Sequence, residues 1–427
     1  MNPQDCRLRV VLVNWNGGPL LDRAIDSVLA AEWSGPIDVV VVDNASTDGS
    51  ADRVVDRAGV HVLHRATNEG FGANNHGIAD LLGEGTVGDL VEPDVVVLLN
   101  PDAAVRPDAL LRMADALDVE QMVGAVAPRI VFDRPFVDLA VTEGDVTVTS
   151  VLAGGNEVAS QCHGVGGAFR LPGADQPIWR CPAGSRLRMP APDIDAGVQL
   201  TLGAASSGRI AGASADGAGT VRVDLADAPR LSLVQNAGSR VGERGVGENR
   251  AFAESDEATA PGGIAPAWCG AAVMLASDYL RDVGGFEPSY FLYYEDIDLS
   301  LRGLARGWTT AYRHDAVVEH RHSDRATQGT RQVEVLQHRN RLVMMVRNAP
   351  ISEAVQAFGL ALLTPASLLV SSVRSGDGAA RRRLAGWRLR SVVGAVKMLG
   401  GALRGRRALA TTRRLAPADV FARASER

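Results

Sequence analysis

Asp102 closes the run Val95-Val96-Val97-Leu98-Leu99-Asn100-Pro101. A continuous apolar run bounded by turn residues reads as a parallel strand buried on both faces. It delivers Asn100 and Asp102 to its carboxyl end, where open α/β sheets bind ligands. A carboxylate there can hold a hard divalent cation, Mg2+ or Mn2+, whose other positions go to water and phosphate. That chemistry is a metal–diphosphate site. A second acidic pair, Glu295-Asp296, stands where the aromatic loop Tyr290-Phe291-Leu292-Tyr293-Tyr294 enters a helix. A carboxylate in such a partly apolar place can have its pKa raised and serve as general base. Acids in a first helical turn also answer the helix dipole, which suits Asp298 better than Asp296. His320 and His322 follow the short apolar strand Ala316-Val317-Val318. An imidazole there completes a metal shell, meets phosphate, or serves the structure alone.

Polar residues close two earlier strands. The first ends in Val13-Asn14-Trp15-Asn16-Gly17 and the second in Val42-Asp43-Asn44-Ala45-Ser46. Asp43 either accepts a hydrogen bond from a base ring N–H or caps the turn into the next helix. For Asp48 and Ser50 the capping reading is the better one. Asn68-Glu69-Gly70-Phe71-Gly72 opens a helix, and its backbone amides could approach a ribose or phosphate. The segment equally reads as an ordinary loop-to-helix turn, and it lacks the third glycine of a dinucleotide fingerprint.

The elements that must position these residues alternate. Strands are predicted at Leu8–Val13, Val39–Val42, Val60–Leu63, Val95–Leu99 and Val123–Val131. Helices are predicted from Pro19 to about Ala31, from near Ser50, over Gly72–Leu82 and over Pro107–Leu117. This order predicts a doubly wound, mostly parallel α/β sheet. After Pro135 the helical periodicity stops, and short Val-, Thr- and Gly-rich runs read as an inserted all-β module, a small sandwich. Strand and helix character returns at Trp268. From about Ala349 the chain is helical and basic. The expected division is 1–134, 135–235, 236–350 and 351–427.

The charge is uneven. Residues 374–427 hold 14 Arg or Lys against three acids, so a net +11 sits on one end and −17 on the rest. Such a tail suits an anionic surface. Leu384, Trp387, Leu389, Val392, Val393, Val396, Leu399 and Leu403 recur among its arginines at helical spacing, the pattern of a cationic helix lying in a membrane interface. The uncharged stretch Ala354–Val373 carries Gln, Thr, Pro and Ser, which favours an interfacial or core helix over a span. Four scattered cysteines argue against a zinc site and a disulfide framework. No charged-then-apolar leader opens the chain, so a cytoplasmic location is expected, peripheral on the inner face of the plasma membrane.

Taken together, these blocks resemble the inverting family 2 glycosyltransferases of GT-A fold, and within them bacterial rhamnosyltransferase-like members. The resemblance covers residues 8–131 and 264–350. It implies that Asp43 contacts the base, Asp102 binds the metal, Asp296 deprotonates the acceptor hydroxyl and His320 is a further ligand. Glu295 stands beside the base as a second catalytic candidate. Asn14, Trp15, Asn16, Asn44, Asn68, Gly70 and Asn100 fall in the donor-binding blocks. Trp268-Cys269-Gly270-Ala271 looks like the segment lining the donor-sugar pocket. The family's Asp-x-Asp motif has Asn100 at its first position here, which removes one negative charge. The β insert is absent from compact members. The implied reaction is one inverting displacement, from a nucleoside-diphosphate sugar to a glycan or lipid-linked acceptor in cell-envelope synthesis. Two other readings are a nucleotidyltransferase, which would want a basic Gly-rich loop where Asn14–Pro19 has no Lys or Arg, and a non-catalytic glycan-binding protein. A nucleic-acid partner is the least expected, because the basic residues lie in one tail without a reading motif.

Overall fold

Val, Leu and Ile fill the first strands, and branched side chains suit a pleated, buried surface. In the computed structural model, which describes residues 6–171, 177–191, 198–225, 227–258, 261–322, 330–373 and 378–426, β1 (Leu8–Asn14), β2 (Ile37–Asp43), β3 (Val60–His64) and β4 (Val95–Leu99) pair in parallel in the order β4-β1-β2-β3. The register sets Asn14 beside Asp43 and Asp43 beside His64, a polar row along the carboxyl edge. Every residue of β4 is buried, between β1 and the antiparallel strand Ala272–Ala276. After β5 (Ala103–Val105) comes β6 (Val123–Phe132), which pairs antiparallel with Ala272–Ala276 and parallel with the strand Thr309–His320. β5 lies antiparallel on the end of that last strand, with His320 opposite Ala103. The sheet is therefore mixed, with most strands running one way.

The helix Pro19–Leu29 opens on proline, whose fixed φ suits a first turn, and buries Leu21, Ala24, Ile25 and Val28. Two other expected helices are not realised at their predicted length. Residues after Ser50 form turns, because the Asp48 carboxylate accepts from the Ser50 N–H at 3.0 Å and its hydroxyl at 2.6 Å. The Gly72–Leu82 helix shrinks to the turn Gly70–Ala73 and one α-turn, Asn74–Gly77. Asn74 donates its amide to the Phe71 carbonyl at 2.8 Å, and Asn75 both donates to and accepts from the backbone of Phe286 at 2.8 Å. Short polar side chains that satisfy backbone groups locally compete with helix propagation.

A second sheet forms around β7 (Phe136–Ala153), an 18-residue strand. Trp179–Pro182, Arg186–Pro190, Val198–Leu202 and Ser207–Ile210 all pair with it antiparallel. Its alternating residues Val137, Leu139 and Val141, then Val146 and Val148, are buried in a core of their own. Chain entry and exit meet at one point: Phe136 and Leu231 exchange N–H···O bonds of 2.9 and 2.8 Å. The strand Val234–Asn236 then returns to pair with β6.

The helices Arg331–Asn348, Ile351–Ser372 and Gly378–Thr412 pack together beyond the first sheet. The single apolar stripe expected on the basic helix divides here. Leu384 and Val392 are buried, while Leu389, Val393, Val396 and Leu403 are exposed, because this helix packs on its neighbours along one side. Residues 374–377 and 427 of the basic segment lie outside the described residues.

Candidate active site

The carboxyl ends of β1 and β2 build one wall. Asn14 is fully buried, and its amide nitrogen reaches Asp43 Oδ1 at 3.0 Å, Ser46 Oγ at 3.0 Å and Ser50 Oγ at 2.8 Å. Its own Oδ1 accepts from the Gly17 N–H at 3.1 Å. Asn14 thus ties the two strand ends together rather than facing a ligand. Asn44 is likewise buried: it donates to the Gly70 carbonyl at 2.9 Å and accepts from the Glu69 N–H at 3.1 Å. Asn68 Oδ1 accepts from the Gly70 N–H at 2.9 Å. Asn16 Oδ1 accepts from the Thr47 N–H at 2.7 Å. Trp15 is the exposed member, at 54%. Asp43 is buried, and exposed His64 stands beside it with Nδ1 3.6 Å from Oδ2. His64 belongs to this wall too, and its only signal in the sequence is the strand register.

Gly70 has φ +68°, a region L side chains rarely adopt, and an added Cβ would lie 2.0 Å from the Phe291 carbonyl oxygen. That close approach lets the Phe71 N–H donate to the Phe291 carbonyl at 2.7 Å and couples the Asn68–Gly72 loop to the Glu295 loop. Phe291, Tyr293 and Tyr294 themselves take positive φ of 67°, 71° and 73°. The Asn340 amide nitrogen, fully buried on the helix Arg331–Asn348, lies 2.9, 2.7 and 2.8 Å from the carbonyls of Tyr290, Leu292 and Tyr293. Asn340 is another residue without a sequence signal.

This loop presents Glu295 and Asp296. Asp296 is partly exposed, and its Oδ2 accepts from the Gly270 N–H at 3.0 Å. Burial pushes its carboxyl above the ordinary range despite that bond. Glu295 is buried and driven further up, by burial and then by the Asp296 charge, and its Oε2 has no hydrogen-bond partner among the described residues. Two adjacent carboxyls thus stand in unequal surroundings, with Glu295 holding its proton more tightly than Asp296. Asp298 turns inward as a structural hub, meeting Tyr290, Arg302, Arg347 and Asn348 within 3.1 Å. Trp268, expected at the donor sugar, is fully buried against Phe286. At Gly270, two residues on, an added Cβ would meet the Phe71 ring at 2.8 Å.

The opposite side holds Asn100, Asp102 and His320. The β5 register brings His320 across from Ala103, which puts its Nε2 3.0 Å from Asp102 Oδ1 and 3.3 Å from the Asn100 amide. Burial pushes the Asp102 carboxyl up, but the charge and hydrogen bond of His320 outweigh it and hold the group below its ordinary value. His320 Nδ1 meets Gln235 Oε1 at 2.6 Å. Among the described residues no group of three His, Cys, Asp or Glu converges. One carboxylate and one imidazole nevertheless fit a cation that takes its remaining oxygens from water and a diphosphate. The two sides meet on a two-residue bridge. Gly270 gives its N–H to Asp296, and the next residue, Ala271, accepts from the Asn100 N–H at 2.9 Å.

Residues 9–145 match the model of glycosyl transferase family 2. The N-acetylglucosaminyl-diphospho-decaprenol L-rhamnosyltransferase of Mycobacterium tuberculosis is 39% identical over 129 residues, which are 29% of this chain and 41% of that protein. An uncharacterized glycosyltransferase of Nostoc sp. is 30% identical over 145 residues, 32% of this chain and 42% of its own length. The chain thus spans about two fifths of the curated relatives it matches. Among solved structures, the mannosyltransferase of Pyrobaculum calidifontis in complex with GDP-Man and Mn2+ superposes with a TM-score of 0.40 at 13% identity, covering 92% of this chain and 87% of that one.

Proposed function

We propose that this chain, whose residues 9–145 carry a family 2 glycosyltransferase domain of rhamnosyltransferase-like sequence, is an inverting glycosyltransferase of GT-A type. It moves a sugar, rhamnose by its likeness to the mycobacterial enzyme, from a nucleoside diphosphate to a lipid-linked glycan acceptor. The bridge of Gly270 and Ala271 carries the reading, because it joins a raised-pKa carboxylate to an Asp–His pair across one small segment. Asp296 takes the proton of the attacking hydroxyl, and its raised pKa gives the proton transfer more driving force. Glu295, driven up by burial and then by the Asp296 charge, is the neutral acid of the pair in this reading and spares Asp296 a second negative charge. Asp43 accepts from a base ring N–H at the carboxyl end of its strand, which suits uracil or thymine. Asp102 and His320 would hold a divalent cation, Mg2+ or Mn2+, which when bound neutralises the leaving diphosphate. The division at 134, 235 and 350 belongs to the same reading, with the β7 sheet as an inserted structural module.

A lipid-linked acceptor requires a surface that meets the bilayer. The helix Ile351–Ser372 is long and apolar enough to cross a membrane by length and composition, yet most of it faces outward. Ile351, Val355, Leu362, Leu363 and Val370 are exposed on it. Leu389, Val393, Val396, Arg390, Lys397 and Arg404 are exposed on the neighbouring helix. Apolar side chains flanked by cations are the composition of an interfacial, cytoplasmic-leaflet surface.

The direct test incubates the full chain with a panel of nucleotide sugars and polyprenyl-diphospho-N-acetylglucosamine, and scores nucleoside diphosphate release and glycolipid product. Acceptor-dependent release that is lost in Asp296→Asn supports the reading. Pyrophosphate release from a nucleoside triphosphate and a sugar phosphate would favour a nucleotidyltransferase instead.

A further inference from the structure

Gln235 takes no part in the roles above, yet it makes the shortest contact of the Asp–His pair. Its side chain is buried on the strand Val234–Asn236, so it cannot touch a substrate. That strand is anchored on every side. The Val234 N–H donates to the Glu254 carbonyl at 2.9 Å, and the Asn236 amide reaches Ser239 Oγ at 2.9 Å and Asn249 Oδ1 at 3.0 Å.

The contacts of His320 define which nitrogen carries the proton. Nδ1 meets an amide oxygen, which only accepts, so Nδ1 is the donor. In the neutral ring Nε2 then keeps its lone pair. The Asn100 amide nitrogen lies 3.3 Å from that same Nε2. Nε2 faces Asp102 Oδ1 at 3.0 Å through a shared proton, and a cation that displaces that proton meets the Nε2 lone pair and the carboxylate oxygen at one point. An oxygen acceptor behind a ligating imidazole sets its tautomer and ring orientation.

We propose that Gln235 is a positioning residue that holds His320 with Nε2 open to the divalent cation it shares with Asp102. The inference rests on the metal reading above and adds how this chain builds the second ligand. Because Gln235 lies just past the point where the β7 sheet hands the chain back to β6, the return path of that module braces the ligand.

The test titrates Mn2+ into the full chain with UDP or dTDP. Free Mn2+ is followed by electron paramagnetic resonance, and nitrogen bonded to Mn2+ by electron spin echo modulation. The wild type should bind Mn2+ with a directly bonded 14N. Gln235→Leu should weaken binding about ten- to a hundredfold and lose the nitrogen signature. Gln235→Glu, which keeps an acceptor oxygen, should retain both. A space-filling role alone would leave the 14N signal intact in the leucine variant. If Gln235→Leu does not fold, Gln235→Met, similar in length but without the acceptor, replaces it. Unchanged affinity and an intact 14N signal in that variant would overturn the proposal and leave the metal reading standing. So would wild-type Mn2+ bound without nitrogen. A wild type that binds no Mn2+ with either nucleotide would overturn the metal reading, and the proposal with it.

Discussion

Glu295 and Asp296 are neighbours in sequence with unequal surroundings, and the inequality is measurable. Asp296→Asn should lower kcat by about 10²-fold or more with little change in donor KM, the size of a lost general base. In the wild type, kcat/KM should fall as pH drops through the Asp296 pKa, above the usual aspartate range. A loss confined to donor affinity would make Asp296 a binding residue. Glu295 reports through stability. Its folded pKa is raised, so its contribution is fully present below the unfolded value of about 4.3 and is lost as pH rises from there toward the folded value. Glu295→Gln stays neutral at every pH. It should melt higher than the wild type at pH 8 and level with it near pH 4; a lower melting point at pH 8 would contradict the neutral-acid assignment. The acids at 102 and 296 were legible in the sequence because each stands at the end of an apolar or aromatic run. Gln235 and Asn340 were not, because their partners lie 85 and 47 to 50 residues away and leave no local pattern.

At the scale of elements, the loop before Glu295 is strained and clamped. Three non-glycine residues at positive φ cost on the order of 1–3 kcal/mol each and persist only when the surroundings hold them. Asn340 supplies that hold from the helix Arg331–Asn348. Asn340→Leu would leave buried carbonyls unpaired, and urea unfolding should show a loss of about 2–3 kcal/mol. Its kcat should fall more than its donor affinity, because the carboxyl pair is released rather than the nucleotide wall. An unchanged kcat would show that the loop keeps its shape without the clamp. The strands β1 to β4 were legible because Val-rich runs between turn residues admit few other readings. The helix expected over Gly72–Leu82 was not realised, because Asn74 bonds the Phe71 carbonyl three residues back and Asn75 bonds the backbone of Phe286, which only tertiary folding brings near.

At the scale of the molecule, the two long C-terminal helices offer one outward surface of apolar and basic residues. The full chain should co-sediment with anionic vesicles, less so in high salt, and weakly with neutral ones. The double substitution Leu362→Glu, Leu363→Glu should abolish sedimentation while leaving hydrolysis of the sugar nucleotide unchanged; sedimentation as strong as the wild type would move the contact elsewhere. Charge imbalance made a basic surface legible, but not which apolar residues face out, since that depends on which side of each helix packs inward. The junction at Phe136 and Leu231 has a consequence of another kind. A hydrogen-bonded antiparallel pair holds its Cα atoms about 5.5 Å apart, a gap that a two-residue turn can close. The segment that carries the β7 sheet therefore leaves and rejoins the first sheet within one turn's reach, and the strands on either side of it, β6 and Val234–Asn236, pair with each other directly.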